Sequence, residues 1–116
     1  MSELLQRAGR DGGMTVCGPV YAELMAYPHA TRTFVDRFLE DTRIEVHADL
    51  PREVWARAGE AFGAYAERRR ESGGGEPKRL LVDFVVGSHA LELADRLLTL
   101  DPVRYRTAYP GLELLP

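Results

Sequence analysis

The chain has 116 residues, of which 45% are hydrophobic and 28% charged, with a formal charge of -3; that is enough for one core without disulfides or a structural metal. The charge excludes a protein that holds nucleic acid by bulk electrostatics, and no apolar run approaches the roughly 18 to 20 residues that span a bilayer. The single cysteine, Cys17, excludes an internal disulfide and reads as a reduced, buried thiol. With the polar start SELLQRAGRDGG, unlike a signal peptide, it points to an unexported, cytoplasmic protein.

In chain order, Ser2 can cap a short helix to about Arg10, stopped by DGG. MTVCG reads as a short buried strand, and Pro19 suits the first turn of the helix PVYAELMAY, which ends before Pro28. A helix from Thr31 to about Glu40 is expected to turn Phe34, Val35, Phe38 and Leu39 inward as one face. RIEVHA follows as a half-buried strand with Ile44 and Val46 inward. The longest helix should run from near Pro51 to about Arg70, with Trp55, Ala58, Phe62 and Tyr65 on its apolar side. After the loop SGGGEP come a helix from about Lys78 to Ala94, strand RLLTL, a turn or short helix in DPVRYRTAYPG, and a last strand LELL. Short apolar strands alternating with helices predict a single α/β domain over 1–116, a mainly parallel sheet flanked by helices.

In such sheets ligands bind beyond the carboxyl ends of the strands. Glu23 lies in the helix directly after MTVCG, Asp101 directly follows RLLTL, and Asp83 sits in the opening turns of its helix, where the macrodipole favours an anion. Three carboxylates on one rim repel unless a divalent cation neutralises them. Oxygen ligands suit Mg²⁺ or Mn²⁺, and the chemistry would be metal-assisted attack of water on a phosphodiester. The same acids also read as ordinary helix caps and turn residues. Thr99, two residues before Asp101, is expected to hydrogen-bond behind the cluster. His29, His47 and His89 are too scattered for a metal motif, and His89 reads as a packing histidine. Arg68, Arg69, Arg70, Lys78 and Arg79 could meet a phosphate backbone, or complement a helix end.

The combination of PVYAEL, LVDFVVGSHALELADRLLTLDPVRYR and a closing PGLELLP resembles the PIN-domain family, especially the VapC-type toxins of bacterial toxin-antitoxin pairs. The resemblance covers about Met14 to Pro116. It implies a three-layer PIN-like fold and a Mg²⁺- or Mn²⁺-dependent ribonuclease, often dimeric and inhibited by a small antitoxin. Glu23, Asp83 and Asp101 match the family's acids by position. The family's opening strand, apolar and ending in an aspartate, has no match, and Asp11 before Gly12-Gly13 is a poor substitute. The expectation is a domain shortened at its amino end relative to the family. If the strand order is 3-2-1-4-5, losing the first strand leaves its neighbours roughly 9 to 10 Å apart, with backbone groups unpaired. Then the strands close up, another chain supplies the strand, or the protein starts upstream.

Overall fold

The computed structural model describes residues 3, 12–75 and 78–115. The helix expected over 2–10 and Asp11 therefore lie outside the described residues, apart from Glu3. The chain is mixed helix and strand with short parallel ladders, and it divides into two compact units, 1–49 and 50–116.

In the first unit, β1 (Met14–Cys17) leads into α1 (Gly18–Leu24), followed by α2 (Arg32–Asp41) and β2 (Ile44–His47). Parallel strands need a long crossover, and α1 and α2 supply it. The ladder pairs Met14 with Ile44 and Cys17 with His47. Pro19 stands in the first turn of α1, as its locked φ allows. Thr31 caps α2, its hydroxyl accepting from the Phe34 N–H at 3.1 Å. The α2 face is narrower than the spacing suggested. Val35 and Leu39 are buried, but Phe34 is 63% and Phe38 40% exposed. A stripe of residues i and i+4 suffices to seat one short helix on two strands of four residues, so the second ring pair is left outside. Ile44 and Val46 alternate with the exposed Glu45 as expected.

In the second unit, α3 (Arg52–Glu71) and α4 (Leu81–Leu93) pack together, followed by β3 (Arg96–Leu98), α5 (Pro102–Arg106) and β4 (Glu113–Leu115). β3 and β4 run parallel with Arg96 opposite Glu113, and Thr99 N–H donates to Leu115 C=O at 3.0 Å, one residue past the strand. α3 buries Val54 and Ala58, and Phe62 and Tyr65 lie 5.4 and 5.7 Å from the buried ring of Phe84. Trp55, expected on that face, is 44% exposed. Its neighbour Val54 takes the inward position, on one face with Ala58, Phe62 and Tyr65 at spacings of four, four and three.

α4 buries Phe84, Val85, Gly87, Ser88, His89 and Ala90, so it is apolar nearly all round. Its polar groups are met locally. The Tyr109 hydroxyl donates to Phe84 C=O at 2.7 Å and accepts from Ser88 Oγ at 2.7 Å, and burial pushes the phenol's pKa up, keeping it protonated. The Tyr109 ring lies over Gly87 so closely that a Cβ there would overlap it, with Cδ2 only 2.6 Å away.

Two glycines in helices thus make opposite predictions. Gly87→Ala forces a buried, hydrogen-bonded ring aside and should destabilise the chain by about 1–3 kcal/mol. Gly59→Ala in α3, with open space around it, should stabilise by about 0.5–1 kcal/mol. Urea unfolding monitored by circular dichroism measures both.

Candidate functional site

Asp83 is the third residue of α4. One carboxylate oxygen, Oδ2, accepts from the backbone N–H of Leu80 at 3.3 Å, tying the side chain to the helix start. The other, Oδ1, accepts from Arg104 Nη1 at 3.0 Å. Asp101 follows the β3 segment and directly precedes Pro102 at the start of α5. Its Oδ2 lies 3.3 Å from Arg104 Nε. One guanidinium therefore bridges two carboxylates that are distant in sequence. Asp83 is the sheltered member, its side chain 15% exposed against 55% for Asp101 and 42% for Arg104.

The ends of this arrangement are held from behind. Thr99 Oγ1 accepts from the Asp101 backbone N–H at 3.0 Å, fixing the turn out of the ladder. Arg79 Nη1 donates to Arg104 C=O at 2.5 Å, while its guanidinium sits 5.5 Å from the Tyr65 ring centre. Tyr65 in turn accepts from the backbone N–H groups of Lys78 and Arg79 at 3.1 and 3.2 Å. These donors and nearby cations lower the phenol's pKa against the opposing pull of desolvation. Around the acids, Leu80, Leu81, Leu100 and Val103 are exposed apolar side chains. A shallow cleft of about 370 Å³, lined by Thr99, Leu100, Pro102, Arg106, Leu112 and Leu114, opens beside them.

Glu23 belongs to the other unit, exposed on α1. It lies near the carboxyl end of β1, close enough to Cys17 to raise the thiol's pKa in concert with the larger effect of burial. Cys17 is fully buried and free, the inert thiol expected. Among the described residues of the unit 50–116, two acids gather and no group of three or more metal-ligating side chains forms.

The basic residues divide. Arg69 bonds Gly74 C=O, Arg70 pairs with Glu67 at 2.5 Å, and Arg79 is committed to Tyr65 and Arg104. Arg68 and Lys78 are exposed. His89 is buried within α4, consistent with a packing role, and His29 is exposed with φ of 66°. His47, at the end of β2, lies 3.9 Å from Glu45.

Arg104 was not singled out by the sequence. Its signal was present: once DPVRYR is read as a helix, Arg104 returns to Asp101 at i, i+3. The partnership with Asp83, 21 residues away, carries no local signal.

No family model matches the chain, nor does any curated protein or solved structure.

Because Asp83 holds both a helix N–H and a guanidinium in a sheltered place, Asp83→Asn should cost about 1–2 kcal/mol of stability. Asp101→Asn removes only an exposed pair and should cost at most about 0.5 kcal/mol. Chemical denaturation of the two variants side by side checks the difference; equal costs would mean the site has no sheltered member.

Proposed function

We propose that the chain is a PIN-type endoribonuclease of a toxin-antitoxin pair, in which Asp83 and Asp101 bind Mg²⁺ or Mn²⁺ and hydrolyse RNA phosphodiesters. The observation that carries this reading is the convergence of Asp83 and Asp101 on one cation at 3.0 and 3.3 Å. Those carboxylate oxygens already face a shared positive charge, and hard oxygen donors of this kind fit Mg²⁺ or Mn²⁺. A bound divalent ion would activate water and stabilise charge on the leaving oxygen.

The protein's own residues have separable tasks in this reading. Asp83 is positioned by the start of α4 and Asp101 by the Thr99 turn, so that both acids are set before any ion arrives. Exposed Arg68 and Lys78 are free of the pairings that occupy Arg69, Arg70 and Arg79, and are the better candidates for guiding phosphate. The exposed Leu80, Leu81, Leu100 and Val103 beside the acids favour a protein partner, an antitoxin or a second copy of the chain. Cytoplasmic residence is part of the same reading.

The finer fold assignment, a three-layer PIN-like fold without its central first strand, is supported by the division of the strands. The pairs β1·β2 and β3·β4 are the two pairs that an order of 3-2-1-4-5 leaves when strand 1 is taken away. A second reading is favoured by Arg104, which already neutralises the acids: a non-catalytic module with this fold that engages an antitoxin or itself.

Incubation of a mixed RNA pool with the chain, and with a form extended upstream, separates the two. With Mn²⁺ the nuclease reading expects cleavage by at least the extended form. Chelator should abolish it, and Asp83→Asn should reduce it by more than the roughly 10- to 100-fold typical of losing an outer partner of a metal ligand. Cleavage by neither form overturns the nuclease reading, and dimerisation or antitoxin capture without cleavage supports the module.

A further inference from the structure

We infer that the exposed side of α5 is a self-complementary contact through which two copies of this chain pair about a twofold axis. This commits the apolar surface beside the acids to one occupant, and it holds whether or not the chain cleaves RNA. Val103 and Arg106, three residues apart and so on one side of the helix, are both exposed. Leu100, just before the Asp101 cap, is 73% exposed, and Val103 64%. Leu80 and Leu81, at the start of α4 that the Asp83–Arg104 pair ties to α5, extend this apolar exposure. The helix is held from behind, so that its outer side is ordered: Tyr105, about half a turn from Val103, is buried, and Arg79 donates to Arg104 C=O at 2.5 Å.

The charges select the partner. Arg106 makes no ion pair or hydrogen bond among the described residues. Asp101 has Arg104 Nε against its Oδ2, and 55% of its side chain remains exposed. Five residues apart, Asp101 and Arg106 stand on different sides of one α5 and do not pair within the chain. A twofold axis at Val103 runs two such helices antiparallel. Leu100 of each copy then lies on the aliphatic stem of Arg106 of the other, whose guanidinium reaches the adjoining Asp101. Val103 meets its own counterpart on the axis, giving an apolar centre with a charged rim. Asp83 and Asp101 balance Arg104 and Arg106, so the surface has no net charge with which to repel a like copy, and it favours neither a strongly acidic nor a strongly basic partner. A contact of this size belongs to the weak, transient class.

Sedimentation equilibrium over a range of concentrations, without RNA or metal, tests this. The wild-type chain should pass from monomer to dimer with a Kd of about 10–100 µM, weaker at high salt. Val103→Glu, which sets two carboxylates face to face on the axis, should weaken pairing by about tenfold or more. Val103→Lys does the same and substitutes for it if that variant does not fold. Arg106→Glu and Leu100→Lys should each weaken pairing about tenfold by setting like charges together. An equimolar mixture of those two should pair at least as well as wild type, because the new carboxylate then faces the new ammonium. A wild-type chain that stays monomeric overturns the inference and leaves the nuclease reading standing, since that reading is scored by cleavage. A dimer that the Val103 variants leave intact also overturns it, as does a mixture no stronger than either charge variant alone.

Discussion

The ring of Tyr109 lies on bare backbone at Gly87, and its hydroxyl closes two buried hydrogen bonds, to Phe84 C=O and from Ser88 Oγ. This contact fastens the segment after α5 to the middle of α4. Because α4 begins with Asp83 and α5 follows Asp101, pinning the one to the other brings their ends within reach of a single arginine. The acids are thus assembled by apolar packing some distance away, as buried contacts of this kind hold a site more firmly than the surface ion pairs they position. Glycine is required at position 87 for closeness rather than for an unusual backbone angle.

Electrostatics then determines what occupies the assembled place. Two carboxylates drawn together by packing raise each other's free energy unless a cation is present. Arg104 meets that need from within the same unit, and Thr99 and Arg79 hold the backbone on either side of it. An internal guanidinium and a divalent ion are alternative solutions to the same repulsion. The guanidinium is the one the structure holds there, and it stabilises the chain as it stands.

Much of the element order was legible because it rests on short-range signals. Ile44 and Val46 alternate with polar neighbours, Thr31 caps, Pro19 opens a helix, and each left its mark locally. Faces were less legible than elements. Phe34 and Phe38 share the periodicity of Val35 and Leu39, yet a seat of two short strands buries only one pair, and hydrophobicity alone does not say which. Trp55 and Val54 differ by one position, a rotation of about 100°, and both sit at helical spacing from Ala58, so periodicity alone does not choose between them. Of the site, Asp83 and Asp101 were legible through their places at a helix start and a strand end. Arg104 went unremarked although DPVRYR was expected as a turn or short helix, because the pairing of position 83 with 104 is tertiary.

The strands impose the remaining constraint. A parallel ladder of three or four residues offers few hydrogen bonds, and parallel sheets are ordinarily covered on both faces within a larger array. Here, among the described residues, each ladder is two strands wide, so each of those strands is an edge and each unit relies on its helices for cohesion. An edge with unpaired donors and acceptors is a template for another strand. The carboxyl ends of the ladders are also where Glu23 and Asp101 reside. At the carboxyl end of the β3·β4 ladder the Asp83–Arg104–Asp101 bridge neutralises the two acids while that edge stays open to a further strand.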